Sequence, residues 1–484
     1  MTVSFNVRSL VSISFFFVCF ALTAGCSSDS DDTSTDTSNL GTDGTDGTDG
    51  TDGTSATDAT TGTDATDGTD TTDGTDTTDG TDTTDGTDAT DGTDTTDGTD
   101  ATDGTGGMDG TDAPADECVT VATLSDFSSL SVSLLKADGS LCADNVLNSG
   151  SVAPGVVNAL SSDTVPGRGK HPDGLLTLID RTNSVLTWYD TTEREVTAQL
   201  SVSTGFFANP KDIAYDGTTA YVSRYEANGG SGAEDFDGGS DILVIDLTNN
   251  EITGRIDLGG AADSDKLPRP ATLHLQGSTL WVLLEHINAD YSAGGQGIIV
   301  GIDTATLEIE DTIPLPYDNC TGMSVSPSGV GAWIVCTGHF TDPDGQATGS
   351  GLTWFDFDDA STGHGVPALD LTGASLGFSV ATIDEDNVVF SALGNFDPAS
   401  DDAVHVYNKT DGTVSDALAT GGAFSLGSLV INWASKTLFV ADGDAVSPGV
   451  LRFQLDDAGS ITALDTVDPS PETGLPPRGI AIIR

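Results

Sequence analysis

The sequence predicts an all-β chain, a seven-bladed β-propeller reached through a long acidic spacer. Three observations predict it. An apolar strand ending in an acidic or amide residue, then a polar turn, then another strand recurs six times, as in "LTWYDTTEREVTAQLSV" and "LVIDLTNNEITGRIDL". Its marker residues are Asp190, Asp246, Asp303, Asp356, Asn408 and Asp456, at steps of 56, 57, 53, 52 and 48 residues. Each unit also carries two earlier strands, such as "PKDIAYD" and "TAYVSRY", rich in β-branched and aromatic residues with turn signals between them. Four short strands per repeat with no helical periodicity is the signature of a propeller blade.

Taken in order, the chain opens with "MTVSFNVRSLVSISFFFVCFALTAGC". One early positive charge, Arg8, precedes an apolar run from Leu10 to Leu22 and small residues before a cysteine, which reads as an export signal over residues 1–25. The stretch "LTAGC" resembles the lipobox of bacterial lipoproteins, with Thr23 standing where an aliphatic residue is usual. That resemblance implies lipidation of Cys26, and more than one acyl chain suffices for stable anchoring. Ser27 follows the cysteine in place of aspartate, so the expectation is an outer-membrane lipoprotein, on the cell surface or the periplasmic face.

Residues 26–117 repeat Thr, Asp and Gly and contain no lysine or arginine. Low hydrophobicity and charge of one sign predict a disordered, self-repelling spacer. A flexible chain of this length spans roughly 50 Å, enough to hold a folded domain off a bilayer. The "TDG" spacing of three does not supply the alternate-position ligands of a calcium loop.

Residues 118–484 have ordinary composition and make up the propeller domain. Complete units lie near 157–202, 208–259, 268–316, 319–372, 376–420 and 424–470. Two fragments remain. Residues 118–147 give three strands lacking a first, and "PPRGIAIIR" (476–484) gives a first strand lacking the rest. Joined, they form a seventh blade and leave no open edge strand; six and eight blades are the alternatives. The stretch "NPKDIAYDGTTAYVSRYE…DILVIDLTNNEITGRIDL" is similar to the YVTN-type and cell-surface lipoprotein propellers of bacteria and archaea. The resemblance covers nearly all of 118–484 and implies an extracellular binding or surface protein.

Four cysteines remain in the domain. The hairpin "CTGMSVSPSGVGAWIVC" turns about Ser328, which sets Cys320 directly opposite Cys336 and predicts a disulfide there. Cys118 is left with Cys142, across an intervening strand unless Cys118 precedes its own strand. No CxxC spacing points to metal.

The whole chain has 76 Asp and Glu against 16 Lys and Arg, a formal net charge of −60. Such acidity excludes nucleic acid and anionic lipid surfaces as partners. Long connections between second and third strands share one face with the blade-to-blade connections, and binding surfaces form on such loops. Candidate ligand-binding residues there are Arg181, Arg224, Glu226, Glu285, His286, His339, Asn395 and Asp442, with Asn209, Lys211, Asp212, Arg269 and Arg478 from the blade connections. Arg181, Arg224 and Asp442 occupy equivalent positions, which predicts that they point to one central mouth. Glu234, Asp235, Asp237, Asp397, Asp401 and Asp402 are candidate calcium ligands on two acidic loops. Catalytic motifs are thin. "GASLG" (373–377) matches the nucleophile-elbow pattern but lacks a following helix, and neither HExxH nor C-x-x-C-H occurs. The expectation is a monomeric, lipid-anchored surface propeller that binds a protein, glycan or small ligand without a cofactor other than calcium. The alternatives are a lactonase-like or dehydrogenase-like propeller enzyme with its site at the central mouth, and a structural surface-layer component.

Overall fold

The computed structural model describes residues 117–152, 155–229, 237–338, 347–396, 399–456 and 459–483. Within the unit spanning residues 108–484, the strands assemble into seven antiparallel blades, a seven-bladed β-propeller. Blade 1 joins Pro477–Ile482 to Cys118–Ser125, Leu130–Lys136 and Leu141–Asn148. Blade 2 begins with Thr164–Pro166 and blade 3 runs from Pro210–Asp216 to Glu251–Ile256. Blade 4 runs from Pro270–Gln276 to Ile309–Asp318, and blade 5 from Cys320–Val325 to Ser361–Pro367. Blades 6 and 7 start at Leu376–Thr382 and Leu426–Asn432.

The period-two pattern of the strands explains how the ring holds together. Neighbouring residues of a strand face opposite sides of their sheet, so each blade feeds two interfaces. Leu178 packs toward blade 1 with Val121, Val132 and Leu134, whereas Ile179 packs toward blade 3 with Ile213 and Val222. Val282 faces blade 3 and its neighbour Trp281 faces blade 5. The buried apolar side chains thus form seven clusters, one at every blade–blade contact. No blade has a core of its own; each buried Leu, Ile or Val contributes about 1.5–3 kcal/mol only while its neighbour blade is present.

Closure follows from the same logic. The C-terminal strand pairs antiparallel with the first strand of the domain, with Val121 opposite Ala481 and Ala122 opposite Ile480. First strands of most successive blades touch around the centre and are stitched there by side chains. The Asp212 carboxylate of blade 3 accepts the Leu273 N–H of blade 4 at 3.0 Å. Ser324 of blade 5 accepts the Thr382 N–H at 2.9 Å, and Ser379 of blade 6 the Leu429 N–H at 2.8 Å.

The repeated marker residues also find their physical role. Asp190 accepts the N–H groups of Thr192 and Glu193, Asp303 those of Ala305 and Thr306, and Asp356 those of Asp358 and Asp359. Each side chain closes the turn after the third strand by an Asx-type bond, a geometry that short carboxylate and amide side chains make best. Asn408 does the same for Asp411.

Both disulfides form as the spacing predicts. Cys320 and Cys336 are cross-strand partners. Cys118 is the first residue of its strand and pairs with Lys136, the last residue of the strand that lies between it and Cys142. The bond passes round the end of that strand, with Cα atoms 5.8 Å apart.

Candidate functional site

An antiparallel meander alternates direction, so the start of each first strand and the end of each second strand meet on one face of the ring. Between blades 3 and 4 this face holds a column of alternating cations and rings. Lys211, second residue of its inner strand, sets its ammonium 4.4 Å above the Tyr225 ring. The Arg269 guanidinium lies 4.8 Å from the same ring and 3.8 Å from the Tyr291 ring. Such contacts are worth about 0.5–2 kcal/mol each, more where water is excluded.

Carboxylates fix the column from the side. Tyr225 donates its hydroxyl to Glu285 Oε2, and Tyr291 donates to Glu226. Arg269 is fully buried and donates from Nη1 to Glu226 Oε2 at 2.9 Å and to the Tyr291 oxygen at 2.6 Å. Its Nη2 reaches the Ala289 carbonyl at 3.2 Å. Asn209 donates to Glu226 at 3.3 Å. Asn209, Arg269, His286 and Tyr291 all have left-handed backbone, with φ between 47° and 59°. Such conformations cost non-glycine residues about 1–2 kcal/mol each and persist only where surrounding contacts enforce them.

The electrostatics follow from burial. Desolvation, helped by the nearby Arg181 charge, pushes Lys211 down to about 8. Burial holds Glu285 above the usual carboxylate range and Tyr225 well above the usual phenol value. Lys211 is half-buried, and its ammonium has no hydrogen bond or ion pair among the described residues.

A related arrangement occurs in blade 1. Arg478 occupies the position equivalent to Lys211 and lies 4.9 Å over the Phe127 ring. Its Nε donates to the Ser125 carbonyl at 3.2 Å. Gly443 leaves room for the guanidinium, which a Cβ there would strike. Asp442 is buried, accepts the Asp444 N–H at 3.0 Å, and has its pKa raised by that burial.

Other candidates are placed elsewhere. Arg181 pairs with Asp163, its Nε 2.9 Å from Oδ1. Arg224 does not open onto the mouth. It is fully buried, forks onto Asp241 at 2.7 and 2.6 Å, and reaches Asp237 at 2.6 Å. The equivalence of Arg181, Arg224 and Asp442 along their strands therefore does not bring the three side chains together. His286 is buried; its Nε2 lies 3.0 Å from the Asp263 backbone nitrogen and its Nδ1 2.9 Å from the Gln296 carbonyl, so the ring clamps a loop. Asp212 is buried within the ring of stitches. Asn395 is exposed, in a two-residue hairpin with Ser400. His339 lies outside the described residues.

Among the calcium candidates, Glu234, Asp235 and Asp397 likewise lie outside the described residues. Asp237 serves Arg224. Asp402 is buried and accepts three backbone N–H groups, from Gly394, Phe424 and Leu426. Asp401 is exposed. Among the described residues no group of three or more His, Cys, Asp or Glu side chains is arranged to hold a metal ion.

Tyr225 and Tyr291 are the functional candidates that sequence reasoning missed. Tyr225 stands between Arg224 and Glu226 on a strand, where it reads as an ordinary core aromatic. Tyr291 sits in a loop with no pattern to mark it.

The fold and this column define a seven-bladed propeller with a polar cluster on its loop face. No protein-family model and no curated protein sequence matches the chain. Solved structures do. A functionally unknown protein from Desulfotomaculum acetoxidans is 11% identical, covering 76% of this chain and 99% of its own, with a TM-score of 0.47. A candidate 6-phosphogluconolactonase from Bacteroides fragilis is 13% identical over 76% of this chain and 99% of its own, with a TM-score of 0.48. A streptogramin B lyase is 13% identical over 66% and 87%, with a TM-score of 0.43.

Proposed function

We propose that this protein is a lipid-anchored, extracytoplasmic propeller that binds a ligand at the mouth between blades 3 and 4, on the face that carries its long loops. Lipid on Cys26 and the acidic spacer hold the domain off an outer membrane. The observation that carries the reading is the Lys211–Tyr225–Arg269–Tyr291 column. Four side chains from two blades are held rigid, in part by strained backbone, and end in a recessed ammonium without a partner among the described residues. Pre-ordering of this kind lowers the entropic cost of binding. The distribution of exposed apolar groups supports the same face. Seven of the ten large ones among the described residues, Phe127, Phe207, Leu369 and Val446 among them, lie on blade connections or second-to-third-strand loops.

The second reading is an enzyme: Lys211 and Glu285 face each other at this mouth, and burial shifts the amine down and the carboxyl up, a pairing that acid–base catalysis also uses.

Ligand-induced stabilisation of the full chain tests the proposal. A panel of metabolites and glycan fragments is screened by thermal shift, and each hit is repeated with Glu285→Gln and Lys211→Met. Hits that lose their shift in both variants support the mouth as the site. Hits unaffected by either variant, or a panel without hits, overturn it. Product formation from a hit moves the assignment to the enzyme class. Mass spectrometry of the native N-terminal peptide decides the anchor separately.

A further inference from the structure

We propose that the ligand of this mouth is an organic monoanion, a small carboxylic acid in its ionised form, and that Lys211 is the group that pairs with it. The inference rests on the reading of the mouth as a binding site and adds the chemistry of what it holds.

Three of the cations on these blades are already committed to carboxylates. Arg181 is paired with Asp163, Arg224 with Asp241 and Asp237, and Arg269 with Glu226. Glu285, the carboxylate beside Lys211, has one oxygen taken by the Tyr225 hydroxyl. Lys211 is left over a ring face, a weak substitute for the water or oxyanion that an ammonium ordinarily contacts. Each nearby carboxylate is turned toward another donor.

Charge balance selects the class. The cations facing this mouth, Lys211, Arg181 and Arg269, are already equalled in number by Glu285, Asp163 and Glu226, so the mouth takes one added negative charge at most, on the Lys211 ammonium. A phosphate dianion would bring a second charge against Glu285 and Glu226, both within electrostatic reach of Lys211. A carboxylate also suits a lysine, which offers a point charge and three rotatable donors rather than a planar fork. The equivalent cation of blade 1, Arg478, sits across blade 2. It uses only Nε among the described residues, which places a second donor on the same rim for a polar tail.

Anion binding is then coupled to a proton. The charged and titratable groups facing Lys211 are Arg181 and Asp163 from blade 2, Tyr225 and Glu226 from its own blade, and Glu285 with Arg269 from blade 4. Burial and Arg181 keep the amine easy to deprotonate; a bound carboxylate reverses this and draws a proton onto it.

The experiment is isothermal titration calorimetry of the full chain with lactate, gluconate and glucuronate, beside inorganic phosphate and neutral glucose. It is run in two buffers of different ionisation enthalpy. The expected result is binding of at least one monocarboxylate with proton uptake near pH 8. Its affinity falls more than about tenfold between about pH 7.5 and 9.5, because the protonated fraction of an amine with a midpoint of about 8 falls by that much. Lys211→Met removes the binding, whereas Lys211→Arg keeps it and flattens the pH dependence. Phosphate or glucose binding that Lys211→Met abolishes, with no monocarboxylate binding, overturns the ligand class and leaves the mouth as a site. Carboxylate binding unchanged in Lys211→Met overturns the role of Lys211. Absence of binding by every monocarboxylate up to high millimolar concentration overturns the inference as well.

Discussion

Replacing Arg269 with alanine removes the centre of the cation–ring column. The lost contacts are the 2.9 Å pair with Glu226, the 2.6 Å bond to Tyr291, the 3.2 Å bond to the Ala289 carbonyl and stacking on two rings. Arg269 is fully buried and the Glu226 side chain is only 14% exposed, so the carboxylate is stranded rather than rehydrated. Breaking a buried pair in this way costs about 3–5 kcal/mol. Glu226 keeps the Tyr291 hydroxyl and the Asn209 amide, which pulls the cost down, while lost stacking on two enclosed rings raises it. A loss of about 4 kcal/mol results. The backbone supplies an internal control. Arg269 has φ of 51°, and a residue with a Cβ pays about 1–2 kcal/mol there that glycine does not. Arg269→Gly should therefore lose about 1 kcal/mol less than Arg269→Ala, despite having the smaller side chain. Urea denaturation followed by tryptophan fluorescence reads both, provided the slope with denaturant is unchanged. An alanine variant that loses less than about 1 kcal/mol would show that the column is not holding these blades together. A glycine variant less stable than the alanine variant would show that the left-handed backbone is not a cost.

Three further outcomes follow from the same structure. Between about pH 8 and 10.5 folded Lys211 is neutral while the unfolded lysine is still charged. The unfolded state then binds more protons, so stability rises with pH across that window, by at most about 3 kcal/mol. Lys211→Met should flatten the rise relative to the parent; equal slopes in the two proteins would refute the burial argument. Replacing Cys320 and Cys336 with serine opens a cross-link of sequence separation 16 and should lower stability by about 3 kcal/mol, measured against the unreduced parent. Deleting residues 477–484 strips the inner strand from blade 1 and uncovers the strand Cys118–Ser125. The shortened chain is expected to aggregate on size-exclusion chromatography; a monomer with unchanged circular dichroism would mean the ring does not need its closing strand.

Much of the fold was legible because it is local. Apolar alternation with period two, and an Asp or Asn able to close the following turn at six of the seven third-strand ends, are properties of single segments. They mark strands whatever lies beside them, and their spacing counts the blades. The Cys320–Cys336 pairing follows from hairpin register alone, and the C-terminal strand from the missing member of the first sheet. The site was legible only as a list of polar residues on one face. Arg224 and Glu226 look alike on paper, two residues apart at a strand end, yet one is sealed inside its blade against Asp241 while the other reaches toward blade 4. Tyr225 and Tyr291 carried no mark at all. What the tertiary structure decided is which side chains of neighbouring blades face one another. That depends on sheet twist and on lateral packing between segments some sixty residues apart, as between Tyr225 and Glu285. A one-dimensional pattern contains strand direction and period, but not the angle at which one blade leans on the next.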